Sequence, residues 1–342
     1  MSRLQEKINA GQVYFIAEMS ANHANDLDIA LKIVEEATHA GADCLKIQTY
    51  TADSLTLDCD ADCFIIKGGL WDGQRLYDLY SDASMPWEWH EPIKMKCDEV
   101  GLDFLSTPFD EAAVDLLVDM GCDALKIASF ELTDLPLLKY AASKGKTMIM
   151  STGMASLEDI QDAVDAVKST GNNDIVLLRC CSEYPADPKD MNLASIPDMQ
   201  NRFGVRVGFS DHSMGHQADV VAAVLGARVI EKHFCLSHEI KTADSEFSMD
   251  PNEYGAMVSA VNDAMSAMGK PCYIPSEKEA KSLVFRRSIF ACADIAKGEK
   301  FTKDNIRIVR PSNGAKPKYY EKLLDSASDR DYRFGDPIVY GD

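Results

Sequence analysis

Short apolar runs recur along the chain, each closing in polar residues and each followed by a longer amphipathic or alanine-rich stretch. VYFIAE (13–18) closes in Glu18, and ADCLKIQTY (42–50) closes in Lys46, Gln48 and Thr49. LDFLSTPF closes in Ser106 and Thr107, DALKIAS in Lys126 and Ser129, KTMIMSTG in Ser151 and Thr152, and DIVLLRCCSEYP in Ser182 and Tyr184. VRVGFSDH and RVIEKHF complete the set, closing in Asp211 with His212 and in Glu231 with His233. Runs of this length and β-branched content predict strands. The intervening LDIALKIVEEATHAG, EAAVDLLVDMG, LPLLKYAASKG and LEDIQDAVDAVKSTG predict helices, each stopped by glycine. Eight strand-then-helix units over about 260 residues predict a (β/α)8 TIM barrel, class α/β. A doubly wound open sheet is the alternative, but it would more often carry a Gly-rich phosphate loop after its first strand, and none is present.

Two departures interrupt the rhythm. Residues 51–92 form an insertion holding all three tryptophans, Trp71, Trp87 and Trp89, which reads equally as a wall over the mouth or as a surface subdomain burying its own aromatics. Past Gly269 the repeat stops. The predicted division is a barrel over 1–270, a polar linker over 271–284, and a small unit of short strands and turns over 285–342. That tail is small for an independent core, so it is expected to lean on the barrel or on another subunit.

The polar residues fall where function would put them, since the C-terminal strand ends form the active face of a barrel. A single serine or threonine there is ordinary turn or cap chemistry. Lysines directed into a barrel mouth are harder to explain away, because a desolvated ammonium needs an anionic partner; Lys46 and Lys126 therefore point to an anionic substrate. Two imidazoles at matching ends of successive strands, His212 and His233, make a candidate site for a divalent metal such as manganese, zinc or iron.

Composition narrows the class. The 342 residues are 46% hydrophobic and 26% charged, with a formal net charge of −20 that argues against nucleic acid and anionic membranes. No apolar run reaches membrane-spanning length and the N-terminus lacks a signal-peptide core, so a cytoplasmic location is expected. The ten cysteines are scattered without a CxxC pair, as small hydrophobes in a reducing compartment would be.

The motifs FIAEMSANH, KIQTY, STPFD, KIASFE, STGM, GFSDHSMG, VIEKHF, FRRSIF and RPSNG together resemble the sialic acid synthase family, a barrel followed by an antifreeze-like (SAF) domain. The inserted GGLWDGQ, LYDLY and PWEWH are most similar to the branch making pseudaminic acid; legionaminic or N-acetylneuraminic acid synthesis is the near alternative. The resemblance implies condensation of phosphoenolpyruvate with an open-chain N-acylated amino sugar, with a divalent metal, Mn2+, held by His212 and His233. It places Glu18 as the residue that orients water or a sugar hydroxyl and assists proton transfer. Lys46, Thr107, Lys126, Ser129, Ser151 and Ser210 fall on phosphoenolpyruvate contacts, and Gln48, Glu131, Tyr184, Glu231 and Asp244 on the sugar side. Arg310 matches an arginine given to the neighbouring subunit's site, which implies a domain-swapped homodimer. Ser182 stands where N-acetylneuraminate synthases have asparagine, which favours 2,4-diacetamido-2,4,6-trideoxy-L-altrose as the sugar, with the tryptophans of the insertion as apolar walls. A non-catalytic carbohydrate-binding protein and a metal-dependent aldolase are the rivals. The first needs no such set of lysines, histidines and Glu18, and the second needs fewer oxyanion donors.

Overall fold

The structure is a computed structural model that describes residues 2–68, 71–324 and 326–341. Gly69 and Leu70 of the GGLWDGQ run lie outside the described residues. The chain divides into two compact units, Met1–Gly269 and Lys270–Asp342.

The first unit is an eight-stranded parallel (β/α)8 barrel. Its strands are β1 (Tyr14–Glu18), β2 (Cys44–Thr49), β3 (Asp103–Pro108), β4 (Ala124–Ile127), β5 (Thr147–Ser151), β6 (Ile175–Cys180), β7 (Arg206–Asp211) and β8 (Val229–His233). They run in the order β3-β2-β1-β8-β7-β6-β5-β4, and β3 packs beside β4 where the ring comes round. Register matches the strand ends: Glu18 of β1 lies opposite Lys46 on one side and His233 on the other. Four of the helices between strands start where the sequence supplies a capping oxygen. Asp26, Asp110, Asp134 and Ser156 each accept a hydrogen bond from a first-turn backbone N–H.

Side chains alternate between the two faces of a strand, so parity decides what enters the barrel. Tyr14, Ile16, Cys44, Leu105, Ala124, Ile149, Val176, Leu178 and Val229 form one buried apolar cluster, the lower filling of the barrel interior. Two residues further on along each strand the same face turns polar: Ile16 gives way to Glu18, Cys44 to Lys46, Leu105 to Thr107, Ala124 to Lys126, Ile149 to Ser151 and Val229 to Glu231. The alternate parity, including Phe15, Ala17, Leu45, Ile47, Val207 and Ile230, packs outward against the helices in the larger core. Gly208 keeps the interior of β7 narrow, because a Cβ there would come within 2.5 Å of Leu178 Cδ2 and the Val229 carbonyl.

The second unit pairs β9 (Ser288–Ala291) antiparallel with β10 (Ile306–Val309) and has its own apolar cluster, centred on Ile289, Ile295, Phe301, Ile306, Tyr332 and Ile338. A core of its own was not expected from its length. Residues 277–285 form two short helical turns with largely exposed side chains. Among the described residues no helix is long and apolar enough to cross a membrane.

Candidate active site

The polar upper layer of the barrel contains a compact buried charge network. Lys46 Nζ lies 2.8 Å from Glu18 Oε2, in ion-pair rather than hydrogen-bond geometry, and 3.6 Å from Glu231 Oε1. Lys126 Nζ reaches the same Glu231 oxygen at 3.5 Å. Hydroxyls complete the lysines' surroundings: Lys46 donates to Thr107 Oγ1 at 3.3 Å, and Lys126 to Ser151 Oγ at 2.7 Å. Ser210 Oγ donates to Glu231 Oε1 at 3.0 Å, while Gln48 Nε2 donates to Glu18 Oε1 and to Ser20 Oγ, each at 3.1 Å.

These contacts set opposite titration for the two acids. Burial raises Glu18, with Glu231 adding to the rise and Lys46 opposing it. Burial also acts to raise Glu231, but Lys126, Lys46 and the Ser210 hydroxyl outweigh it, and its pKa is lowered. The lysines separate likewise. Burial pulls Lys46 down, yet Glu18 and Glu231 carry it above its ordinary value, whereas Lys126 is lowered by burial and by the charge of Lys46.

The imidazoles stand next to this network. The His212 and His233 rings lie 5.3 Å apart between centroids, with Tyr184 packed on His212 at 4.3 Å and Phe247 edge-on to His233 at 5.0 Å. His212 Nδ1 is 2.9 Å from the Cys181 carbonyl; a carbonyl only accepts, so Nδ1 carries a proton and Nε2 is the atom that would hold a metal. His233 Nδ1 is buried without a hydrogen-bond partner, and burial, His212 and Lys46 hold this ring neutral. Burial pulls His212 down, but Cys180 and the Cys181 carbonyl carry it above its ordinary value. One imidazole oriented by a carbonyl and one with an orphaned buried nitrogen would suit a divalent transition metal with open positions for substrate oxygens.

Other expected residues are nearby but differently occupied. Ser129 lies in the turn after β4, not in the strand, and its Oγ accepts from Gly153 N at 3.0 Å. Ser182 follows β6, with its hydroxyl 3.9 Å from Cys180 Sγ; a Cβ on Gly153 would run into the hydroxyls of both Ser182 and Ser129. Glu131 Oε2 is buried without a partner, and burial raises its carboxyl to about 7 against the pull of Lys126. Asp244, in the loop after β8, accepts from Ala21 N at 3.1 Å. Trp89 packs edge-on to His23 at 5.8 Å and against the outer core, and Trp87 Nε1 donates to the Tyr50 carbonyl at 3.4 Å. Arg310 is exposed immediately after β10 in the second unit.

Two neighbours of the site were not anticipated. Cys180 lies 3.8 Å from His212 Nδ1; burial pushes its thiol up, but His212, Ser129 and Lys126 pull it down to about 7. Phe247 comes from the polar loop after β8, SHEIKTADSEFS, whose sequence gives no sign of its place. A short alternation rule applied to IVLLRC would have turned Cys180 inward with Val176 and Leu178.

A parallel barrel whose mouth gathers two buried lysines, a hydroxyl layer and an imidazole pair is built as an enzyme for an anionic substrate. Residues 33–273 match the NeuB family and residues 286–342 the SAF domain. The chain is 47% identical, over 97% of its length and 96% of the relative's, to a pseudaminic acid synthase of Campylobacter jejuni. It is 40% identical to a pseudaminic acid synthase of Helicobacter pylori, covering 96% of both chains. Among solved structures, an N-acetylneuraminic acid (sialic acid) synthetase of Leptospira borgpetersenii in complex with citrate superposes with a TM-score of 0.71 at 29% identity, over 80% of this chain and 90% of that one. The chain belongs to the NeuB family.

Proposed function

We propose that this protein is a pseudaminic acid synthase, a phosphoenolpyruvate-dependent nonulosonic acid synthase acting on 2,4-diacetamido-2,4,6-trideoxy-L-altrose. The coarser reading, a nonulosonic acid synthase, follows from family membership and from relatives matched over nearly their whole length. The choice of sugar is supported by the higher identity to the two pseudaminic acid synthases than to the N-acetylneuraminic acid synthetase, 47% and 40% against 29%. The observation that carries the chemistry is the sharing of Glu231 Oε1 by Lys46 and Lys126 beside the imidazole pair.

In the reaction, C3 of phosphoenolpyruvate forms a carbon–carbon bond to the open-chain aldehyde, whose oxygen takes up a proton. Water adds at C2, and the tetrahedral intermediate breaks its C2–O bond to release phosphate. Lys46 and Lys126, with Thr107, Ser151 and Ser210, offer charged and hydroxyl donors to the phosphate and carboxylate oxygens. Glu18, oriented by Gln48 and raised in proton affinity, holds the water or a sugar hydroxyl and passes a proton. Gln48, Glu131, Tyr184, Ser182, Asp244 and Glu231, which also anchors both lysines, are assigned to the sugar side. His212 and His233 would hold the metal, manganese in this reading, which supplies Lewis-acid polarisation of the aldehyde when bound.

The metal also answers a charge problem. Two lysines facing two carboxylates leave no net positive charge for the phosphate and carboxylate of phosphoenolpyruvate, and a divalent cation held by His212 and His233 would supply it. Arg310 is assigned to a partner subunit's site in a homodimer, which light scattering at working concentration tests. The central experiment is phosphate release from phosphoenolpyruvate with manganese, offering the diacetamido trideoxy-altrose and N-acetylmannosamine in parallel, with and without chelator. Release with the altrose sugar alone, abolished by chelator, is expected; release with N-acetylmannosamine alone would overturn the sugar assignment.

A further inference from the structure

Glu231 and His233 point into the barrel, so Lys232 between them points out. Its side chain is 0% exposed, sealed between β8 and the helix Gln217–Val224. A fully buried lysine needs anionic and hydrogen-bonding partners, and the structure gives this one a specific set. Lys232 Nζ lies 2.5 Å from Asp211 Oδ2 and 3.9 Å from Asp219 Oδ2, and it donates to the carbonyls of Ser213 at 2.6 Å and Gly215 at 3.1 Å. Asp211 in turn accepts from Ser213 N at 2.8 Å and Ser213 Oγ at 3.0 Å. The residues on either side of His212 are therefore held by one buried ammonium, directly or through Asp211. His212 itself is bonded to the next loop, with its carbonyl accepting from Ala186 N at 2.9 Å and its Nδ1 on the Cys181 carbonyl.

We infer that Lys232 is a positioning residue: from outside the barrel wall it fixes the 211–215 loop, and thereby the His212 ring, so that the two imidazoles hold a divalent cation tightly. The inference rests on reading His212 and His233 as the metal ligands. Stability alone does not account for the arrangement, because a buried ion pair is commonly replaced by apolar residues at no loss of stability. What an apolar pair cannot do is tie two loop carbonyls and a strand-end carboxylate to one point. The ammonium's three donors match three acceptors, Asp211, Ser213 and Gly215, and leave the loop one arrangement.

The test compares Mn2+ dissociation constants, from the electron paramagnetic resonance signal of free Mn2+, for the full chain, His212→Ala and the double variant Asp211→Leu/Lys232→Met. The double variant removes both charges of the closest pair; Asp219, 3.9 Å from Lys232 and raised well above the ordinary carboxyl value chiefly by burial, is then expected to stay protonated, so no lone charge is left buried. The full chain is expected to bind and His212→Ala to lose binding. The double variant is expected to bind about 10–100-fold more weakly while its melting temperature and far-ultraviolet circular dichroism stay close to those of the full chain. A double variant that folds and binds Mn2+ as tightly as the full chain overturns the inference. If it does not fold, Asp211→Asn/Lys232→Gln, which keeps hydrogen-bonding groups but not the three-donor ammonium, decides: severalfold weaker binding supports the positioning role, and unchanged binding overturns it. If the full chain binds no Mn2+, or His212→Ala binds it undiminished, the metal reading itself is wrong and the inference falls with it.

Discussion

Glu18 and Glu231, on neighbouring strands, both face the ammonium of Lys46, at 2.8 and 3.6 Å, yet their proton affinities move in opposite directions. The difference comes from Lys126 and Ser210, which serve Glu231 alone among the pair's hydrogen-bond and ion-pair contacts. Environments that push two carboxyls apart assign them different work: Glu18 can hold and pass a proton, and Glu231 stays ionised as the anchor of both lysines.

Glu18→Gln and Glu231→Gln should therefore fail differently. Glu18→Gln keeps a polar group beside Lys46 and is expected to lower kcat by about 10²–10⁴-fold with little change in melting temperature. Glu231→Gln leaves Lys126 without its carboxylate in a buried site and is expected to cost about 3–5 kcal/mol of stability. Steady-state kinetics with thermal and denaturant unfolding on both variants checks this; equal stability losses would remove the distinction.

Lys46→Ala removes a charged donor from the substrate side and the cation that opposes the rise in Glu18. Losing one charge-assisted hydrogen bond, at about 1.5–3 kcal/mol, corresponds to a roughly 10–100-fold increase in the KM for phosphoenolpyruvate. The KM for the sugar should change far less. Initial rates over a grid of both substrates separate the two, and an unchanged phosphoenolpyruvate KM would take Lys46 out of that role.

Glu131 ties stability to pH. Burial moves its carboxyl from the ordinary 4.5 up to about 7, so the folded protein keeps a proton that the unfolded chain releases, and this contribution is lost as pH rises through that window. The loss is on the order of 1–2 kcal/mol once the partial solvent contact is allowed for. Glu131→Gln, which cannot ionise, should flatten the decline. Urea unfolding of both proteins at a pH below and a pH above the window measures it, and parallel curves would rule Glu131 out as the source.

The barrel and its mouth were legible because both obey a two-residue period. Ile16 then Glu18, Ala124 then Lys126 and Val229 then Glu231 each place an apolar residue and a polar one on the same inward face, so the run of letters already separates the filling from the mouth. Lys232 was not legible as anything beyond a polar residue between two others, since its meaning depends on Asp219, which a helix brings over it from 13 positions earlier in the chain. Cys180 falls on the inward parity of Val176 and Leu178, but a cysteine among apolar residues offers no polar contrast to mark it as part of the mouth. Ser129 was assigned to a strand end because KIAS continues the apolar run, but β4 stops at Ile127 and the chain turns into a 3-10 turn before the hydroxyl.

Ser182 tests the choice of sugar. Its hydroxyl lies in the crowded corner made with Ser129 and Gly153, where even a methyl group on Gly153 finds no room. Ser182→Asn adds an amide to that corner, where the overpacked group must turn toward the mouth or displace the loop after β5. If the sugar side is as assigned, the amide takes space from the diacetamido sugar, and kcat/KM for it should fall by about tenfold or more, equivalent to roughly 1.4 kcal/mol or more of transition-state binding. Ser182→Ala, which removes a hydroxyl without adding bulk, should cost less. The phosphoenolpyruvate KM should hold in both variants, because Lys46 and Lys126 are untouched. Competition between the diacetamido trideoxy-altrose and N-acetylmannosamine for each variant reads the preference directly, and an unaltered ratio in Ser182→Asn would mean that the sugar does not reach this corner.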